Sequence, residues 1–338
     1  MINVAINGFG RIGRRVFRLL QDYENIQVVA INDLADSKTL GHLLKYDSIH
    51  GVFNGDVSSD ENHIIVNGNK IPLLNKNHPK LINWESFNVH SVIESTGKFK
   101  TKSELSYHLK HGSEQVILSV PPIEDDIKTI VLGVNDHIIE GTETIISNAS
   151  CTTNNAAPMI DIIDKLCGIN QAYITTVHSY TTDQSLHDEP HRDLRRSRAA
   201  GQSIVPTTTG AAKALTKIFP KLSDVIGGCG IRVPVINGSL TDITFNVKKE
   251  VTIEAINKAF KEASEKKYKD IIEYTEDPIV SIDIVGNTHS CVFDSQMTSV
   301  IDKMVKIIGW YDNETGYSQR IIDLLCNLSI KKSVLSIK

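Results

Sequence analysis

The stretch from Ser147 to Asn155 carries one cysteine, Cys151, among small polar residues. A short apolar run precedes it and an amphipathic run, Met159 to Leu166, follows, which predicts a strand, a tight turn and a helix. A thiol at a helix start lies beside unpaired backbone N–H groups and the positive end of the helix dipole, and both favour the thiolate. Cys151 is therefore the candidate nucleophile, with a buried structural thiol as the alternative. Because proline suits only the first helical turn, Pro158 predicts a regular helix that starts nearer Asn155.

A thiolate nucleophile needs a base that takes the thiol proton. His178 ends the strand-like run from Tyr173 and follows Cys151 by 27 residues, a separation natural for a strand packed against a helix. A lone histidine is usually structural or solvated, so its pairing with Cys151 is what makes His178 the candidate acid or base. His187 and His191 are rivals, but they belong to a long polar loop.

The N-terminal strand-like run is followed by Gly8, Gly10 and Gly13 in the pattern G-x-G-x-x-G, and then by apolar residues at helical spacing. Such glycines allow a tight turn, close approach to a pyrophosphate and close helix packing, and the helix N-terminus faces the phosphates. Asp33 ends a second strand 20 residues after Gly13, where an acid accepts hydrogen bonds from a ribose. Its carboxylate would repel a 2′-phosphate, so the pattern favours NAD over NADP.

Two further predicted strands end in small residues, where an open α/β sheet binds ligands, so Thr96, Gly97 and Ser119 are candidate cofactor neighbours. The apolar runs 130–134 and 279–285 are also expected to be strands. The first half is thus predicted as a doubly wound (Rossmann) domain with a parallel sheet. The second half is expected to be an α+β catalytic domain with a mostly antiparallel sheet.

Three stretches of the second half could bind anions. The loop from Ser179 to Ser203 is basic, and guanidinium groups hold phosphates bidentately; a solvated surface or a subunit contact is the alternative. The stretch from Pro206 to Lys213 places hydroxyls and free N–H groups at a predicted helix start. Arg232 lies between apolar strand residues, where a charge needs a partner such as a phosphate.

Composition bounds the remaining possibilities. The chain has 338 residues, enough for two domains, and a formal net charge of −4, which gives no sign of nucleic-acid or membrane-surface binding. No apolar run approaches the roughly 18 residues of a membrane span, and the first residues read as a strand rather than a signal peptide. The five cysteines are widely spaced without metal-ligand spacing, so we expect no metal and reduced thiols in the cytoplasm.

Over nearly its whole length the chain resembles the phosphorylating, NAD-dependent glyceraldehyde-3-phosphate dehydrogenases of glycolysis. The motifs that carry this resemblance are NGFGRIGR at 7–14, SNASCTTN at 147–154, HSYTTDQ at 178–184, DLRRSRAA at 193–200, PTTTGAAKAL at 206–215, RVP at 232–234 and WYDNETGYS at 310–318. The resemblance implies a nucleophilic Cys151 and an acid/base role for His178.

The resemblance also implies roles for other residues. Those expected to contact the cofactor are Arg11, Ile12, Asp33, Ser119 and Asn313, the last through the nicotinamide carboxamide. Those expected near the phosphate of the substrate are Thr181, Asp183 and Arg232. Those expected to contact inorganic phosphate and substrate are Ser150, Thr152, Arg196, Thr209 and Gly210. Leu34 and Pro190 are similar to the NAD-preferring pattern of the family.

The resemblance implies an NAD-binding domain of residues 1–149, joined by a C-terminal helix of residues 314–338, and a catalytic domain of residues 150–313. It further implies a homotetramer with loop 179–201 at its centre. The sequence departs from the family at Asn155, where a second cysteine is common, at Thr315, where a large aromatic is usual, and at Asn77, where an arginine often lies.

Two alternatives stay open from the sequence. The first is the sister enzyme erythrose-4-phosphate dehydrogenase, which uses the same cysteine chemistry. The second is a non-catalytic binding protein of the same fold, against which the intact Cys151, His178 and anion-binding stretches argue.

Overall fold

The computed structural model describes residues 1–336. The chain divides into two compact units. The first unit contains residues 1–130, 137–149 and those from 318 onwards, and the second contains residues 131–136 and 150–317.

The first unit alternates strands and helices, as the glycine motif and its flanking runs predict. Its elements are β1 (Ile2–Asn7), α1 (Arg11–Leu20), β2 (Ile26–Asn32), α2 (Ser37–Lys45), β3 (Tyr46–Asp47), β4 (Gly51–Val52), β5 (Val57–Asp60), β6 (His63–Val66), β7 (Asn69–Leu74), β8 (Ser91–Glu94), α3 (Lys102–Lys110), β9 (Gln115–Leu118), β10 (Lys128–Thr129) and β11 (Ile145–Ser147).

Nine of these strands form one sheet in the order β10-β11-β9-β8-β1-β2-β7-β6-β5. The strands from β10 to β7 are parallel, whereas β7, β6 and β5 are antiparallel neighbours. The strand order reverses on either side of β1, as in a doubly wound domain, and ligands of such sheets bind at the carboxyl ends of the strands.

The second unit begins with its longest helix and continues mainly as strands. Its elements are α4 (Cys151–Cys167), β12 (Ile169–Ser179), β13 (Val205–Thr207), α5 (Ala211–Ile218), β14 (Ile226–Val233), β15 (Ser239–Val247), α6 (Ile253–Glu265), β16 (Ile272–Thr275), β17 (Cys291–Asp294), β18 (Ser299–Ile301) and β19 (Met304–Tyr311). The final helix, α7 (Thr315–Ser336), starts in this unit and continues into residues of the first unit.

The sheet of the second unit has the order β13-β14-β12-β15-β19-β17-β16, with β18 also paired to β19. Only the pairs β12–β14 and β16–β17 are parallel. The predicted fold class is therefore confirmed: a parallel-sheet α/β unit and an α+β unit with a mostly antiparallel sheet.

The two expected strands at 130–134 and 279–285 are wrong. Asn135 Oδ1 accepts the Val131 N–H at 2.7 Å, and Gly133 has a φ of +79°, so the first run folds into turns. Asp283 Oδ2 accepts the Val280 N–H at 2.7 Å and makes a turn of the second. In both runs a side chain competes for the backbone donors that a strand would use.

No helix among the described residues combines the length and the apolar character that crossing a membrane requires.

Candidate active site

The glycine-rich turn follows β1 directly. Gly8 has a φ of +95°, and a Cβ on it would lie 2.6 Å from the Thr96 nitrogen, so only glycine fits. Gly10 precedes α1, and no side chain caps this helix N-terminus, which is the kind of helix end that binds anions. This local geometry fits a pyrophosphate.

A cleft of about 240 Å³ opens beside this turn, and its lining residues include Gly8, Gly10, Asn32, Asp33 and Thr96. Lys76 and Asn77, which the sequence did not nominate, also line it. The Asp33 carboxylate is fixed by backbone donors: Oδ2 accepts the N–H of Phe9 at 2.7 Å, and Oδ1 accepts those of the two residues after Asp33. The cleft and the fixed carboxylate fit an adenosine ribose.

Other predicted cofactor residues do not line this cleft, namely Arg11, Ile12, Gly13, Gly97 and Ser119. Arg11 forms a bidentate ion pair with Asp47 at 2.8 and 3.1 Å. Burial would raise the pKa of Asp47, but hydrogen bonds from the backbone N–H groups of His50 and Ile49 and from Arg11 lower it to about 2. The Arg11 guanidinium therefore already has an anionic partner within the protein.

Cys151 is the first residue of α4, and Ser150 is its N-cap, accepting the Thr153 N–H at 3.1 Å. The helix does not start near Asn155 as expected. The helix continues through Pro158 in its second turn, where the missing N–H removes the hydrogen bond to the carbonyl of residue 154. The residue before the cap, Ala149, has a φ of +55°, a conformation that costs a non-glycine residue energy and that is common at functional sites.

The structure brings Cys151 and His178 together: Sγ lies 3.5 Å from Nε2. His178 Nδ1 lies 2.7 Å from the Ser179 carbonyl oxygen, which can only accept. A proton on Nδ1 satisfies that contact and leaves the Nε2 lone pair facing the thiol. Arg232 Nη1 also lies 2.7 Å from Nδ1 and donates to the same carbonyl at 2.9 Å, so it competes with this tautomer.

The pKa shifts of Cys151 and His178 indicate that both side chains are neutral near pH 7 when no ligand is bound. Burial raises the pKa of the Cys151 thiol, against the Arg232 charge and the first-turn N–H groups, which lower it. The sequence-based expectation of a stabilised thiolate is thus outweighed by burial. Burial, and after it the Arg232 charge, lowers the pKa of His178 to about 3. A neutral imidazole can act as the base.

Tyr311 is a site residue that the sequence reasoning missed. Its hydroxyl lies 2.9 Å from Thr152 Oγ1 and 2.9 Å from Thr176 Oγ1, and its ring meets that of His178 edge to face at 5.8 Å. It therefore joins the first turn of α4 to the strand that carries His178. The available signal was its place at the end of a strand, next to Asn313.

The two arginines predicted to bind anions, Arg232 and Arg196, lie in different surroundings. Arg232 pairs in register with His178 on one side and with Val205 on the other, so it lies between the histidine and the stretch that leads to α5. Arg196 is held by an ion pair with Asp183 and donates to Thr207 Oγ1 at 2.9 Å. Arg196 and Asp183 are both close enough to influence the pKa of Arg232, which burial lowers.

The remaining predicted residues are held by local hydrogen bonds. Thr181 donates from N and Oγ1 to the buried Gln184, and Thr209 Oγ1 accepts the Ala211 N–H at the start of α5, directly after Gly210. Asn313 Oδ1 accepts the hydroxyls of Ser179 at 2.8 Å and Ser239 at 3.0 Å. These two bonds fix the orientation of the Asn313 amide.

One unit holds a glycine turn beside a cleft, and the other holds a half-buried thiol next to a buried imidazole and an arginine, features typical of a nucleotide-dependent enzyme. Comparison with protein families specifies the class. A model of the glyceraldehyde 3-phosphate dehydrogenase NAD binding domain matches residues 2–102, and a model of the C-terminal domain of that enzyme matches residues 150–313. The chain belongs to the glyceraldehyde-3-phosphate dehydrogenase family, and its cofactor is NAD.

Curated relatives match along nearly the whole chain. Glyceraldehyde-3-phosphate dehydrogenase 1 of Bacillus cereus is 46% identical over 98% of this chain and 99% of its own length. The Geobacillus stearothermophilus enzyme is 48% identical over 98% of this chain and 99% of its own, and that of Borreliella burgdorferi is 50% identical over 96% and 98%. These relatives carry the triose-phosphate name, so the erythrose-4-phosphate alternative is not favoured.

Proposed function

We propose that the protein oxidises D-glyceraldehyde 3-phosphate with NAD and inorganic phosphate to 1,3-bisphosphoglycerate, in glycolysis or gluconeogenesis. The observation that carries this proposal is the Cys151–His178 pair at 3.5 Å at the start of α4, with Arg232 beside it, in a member of this family. Residues 1–149 with the C-terminal helix would form the NAD-binding domain, and residues 150–313 the catalytic domain.

Cys151 Sγ attacks the aldehyde carbon as its proton passes to His178 Nε2, and His178 returns that proton to the resulting oxyanion, which gives the thiohemiacetal hydroxyl. The Cys151 backbone N–H, one of the unpaired donors of the first turn, stabilises the oxygen that becomes negative. His178 then takes the hydroxyl proton while the carbon is oxidised to a thioester. NAD, when bound, supplies the hydride acceptor. An oxygen of inorganic phosphate attacks the thioester, and the Cys151 thiolate leaves.

Two anions must be held during this sequence, the phosphate of the substrate and inorganic phosphate. Arg232, Thr181 and Asp183 are proposed for the first, and Ser150, Thr152, Arg196, Thr209 and Gly210 for the second. All of these residues except Asp183 can donate hydrogen bonds to phosphate oxygens. Asp183 would act indirectly, through its ion pair with Arg196.

The cofactor would be held by Gly8, Gly10, Asp33 and Thr96, which line the cleft, and by the other predicted contacts Gly13, Arg11, Ile12, Gly97, Ser119 and Asn313. Because the Asn313 oxygen already accepts two serine hydroxyls, its NH₂ group is the part that can donate to the nicotinamide carboxamide.

We propose a cytoplasmic homotetramer in which loop 179–201 is buried. Leu186 and Leu194 of this loop are 66% and 82% exposed in the single chain, and Tyr173 and Met304 are exposed on a face of the second unit's sheet. Apolar surface of this kind supports association. The five unpaired thiols suit a reducing compartment.

The decisive test follows the absorbance of NADH with glyceraldehyde 3-phosphate and NAD, with and without phosphate. We expect a strong phosphate-dependent signal, and Cys151→Ser should abolish it while NAD still binds. Cys326→Ser, at another half-buried thiol, is the matched control and should stay active. Turnover that does not need phosphate, or is faster with erythrose 4-phosphate, would favour the sister enzyme. A folded protein that binds NAD but oxidises neither aldehyde would favour the binding role.

A further inference from the structure

A chain of buried polar side chains crosses the carboxyl end of the first unit's sheet. Glu94, Asn7 and Asn32 are the last residues of β8, β1 and β2, and the register pairs Asn7 with both of the others. They are 0%, 1% and 3% exposed. The three side chains therefore form one rung directly below the cleft that we assign to NAD.

Hydrogen bonds run along this rung without interruption. Asn7 Nδ2 donates to Glu94 Oε2 at 2.5 Å, and Asn32 Nδ2 donates to Asn7 Oδ1 at 2.7 Å. Asn32 then makes two bonds with the backbone of Lys76, accepting its N–H and donating to its carbonyl, each at 2.9 Å. Lys76 lines the cleft, so the rung ends at the cleft wall.

The other end of this hydrogen-bond network lies outside the cleft. His108 on α3 and Trp84 are both 0% exposed. The Trp84 indole N–H donates to His108 Nδ1 at 2.9 Å, and an indole can only donate, so the histidine carries its proton on Nε2. That proton is directed at Glu94 Oε2, 3.1 Å away.

The Glu94 carboxylate accepts hydrogen bonds from both ends of this network. Its Oε1 accepts the N–H and the hydroxyl of Thr96 at 2.9 and 2.5 Å, and its Oε2 accepts Asn7 and His108. Thr96 in turn packs against Gly8 of the glycine turn, 2.6 Å from where a Cβ would lie. Apolar side chains at these positions would avoid the cost of desolvating a carboxylate and two amides. The buried polar network therefore needs another reason, and holding the strand ends in one geometry is such a reason.

We propose that Glu94 is a positioning residue for NAD binding: it orients Thr96, Asn7 and Asn32 around the cleft, and His108, held by Trp84, orients Glu94. This inference rests on the assignment of the cleft to NAD.

Glu94→Gln tests the proposal directly. The amide NH₂ replaces one acceptor oxygen, so two of four donors lose their acceptor. If Asn7 turns its amide to compensate, Asn32 must turn as well and both bonds to Lys76 break. We expect the Kd of NAD, measured by calorimetry on the full-length enzyme freed of nucleotide, to rise about tenfold, which corresponds to about 1.4 kcal/mol. The KM of the aldehyde should stay within about twofold.

The His108 variants separate positioning from simple stability. Gln can accept from the indole and donate to Glu94, whereas Leu can do neither, so His108→Gln should bind NAD nearly as the parent does and His108→Leu about tenfold more weakly. Trp84→Phe, which lies outside the cleft, should weaken NAD binding about threefold. Trp310→Phe is its matched control, because that indole donates to the buried Asp294 in the second unit, and it should leave the Kd unchanged.

Two results would overturn the inference: a lowered melting temperature in Glu94→Gln and His108→Leu with the Kd of NAD within twofold of the parent, or equal Kd values for the two His108 variants. If Glu94→Gln does not fold, the His108 pair and Trp84→Phe decide. Asp33→Ala distinguishes a failure of the positioning role of Glu94 from a failure of the assignment of the cleft to NAD. If Asp33→Ala binds NAD as the parent does, the cleft assignment is wrong, whereas a loss there with no effect at Glu94 refutes only the positioning role.

Discussion

Replacement of Arg232 by methionine tests the electrostatics of the thiol–imidazole pair. Methionine keeps much of the apolar stem but removes the charge that lowers the pKa values of both Cys151 and His178. Arg232 Nη1 lies 2.7 Å from His178 Nδ1, and His178 Nε2 lies 3.5 Å from Cys151 Sγ, so with the width of the ring the charge is within about 8 Å of the sulfur. At an effective dielectric constant of about 20, a unit charge at that distance stabilises the thiolate by about 2 kcal/mol. Loss of the charge should lower the thiolate fraction about thirtyfold, since each 1.4 kcal/mol is about a factor of ten.

The assay is alkylation of Cys151 by iodoacetamide at neutral pH in enzyme free of NAD and substrate, with the modified peptide quantified by mass spectrometry. The reagent is uncharged, so Arg232 does not attract it. Because the thiolate is the nucleophile and the pKa of Cys151 is already raised, the alkylation rate follows the thiolate fraction. The variant should react about thirtyfold more slowly than the parent.

Arg196→Met is the matched control, since that guanidinium is neutralised by its ion pair with Asp183. Its alkylation rate should change by less than about threefold. An unchanged or faster rate in Arg232→Met, with the control unaffected, would refute the reasoning, because it would mean that Arg232 does not set the charge of the pair. Slowing of both variants alike would point to a general disturbance of the loop instead.

Three other perturbations have defined outcomes. The pKa of Asp47 is about 2 in the folded protein against an ordinary value of 3.8, so its ionised form stabilises the fold above pH 3.8, and this stabilisation is lost as pH falls toward 2. Asp47→Asn should therefore lower the free energy of unfolding in urea by about 2 kcal/mol at pH 7 and flatten its dependence on acid pH. Tyr311→Phe removes the hydroxyl that bridges Thr152 and Thr176, and Thr176 keeps only a long bond of 3.4 Å to the Leu240 carbonyl, so the change should cost about 1–3 kcal/mol and lower kcat. Asn155→Ala removes a buried amide that donates to the carbonyls of Ser290 and Gly309, and it should lower the free energy of unfolding by about 1–3 kcal/mol in urea.

The parts of the site that the sequence predicts are those whose chemistry is local. The glycine turn, Asp33 and Cys151 each depend on a strand, a turn and a helix start within a short stretch, and spacing alone indicates these. His178 is predicted because it ends a strand-like run 27 residues after Cys151, and Arg232 because it lies between apolar strand residues. The register between β12 and β14 pairs these two residues. Periodicity fails at 130–134 and 279–285, because Asn135 and Asp283 take backbone donors from runs as apolar as true strands.

Register between strands is what the sequence leaves open, and the least expected contacts depend on it. Asn7, Asn32 and Glu94 read separately as ordinary strand-end residues, yet pairing of β1 with both β2 and β8 makes them one hydrogen-bonded rung. The same holds for Asn155: its amide donates to the carbonyls of Ser290, Gly309 and Trp310, all more than a hundred residues away. At this departure from the family, Asn155 thus links α4, which begins at Cys151, to β19, which ends at Tyr311.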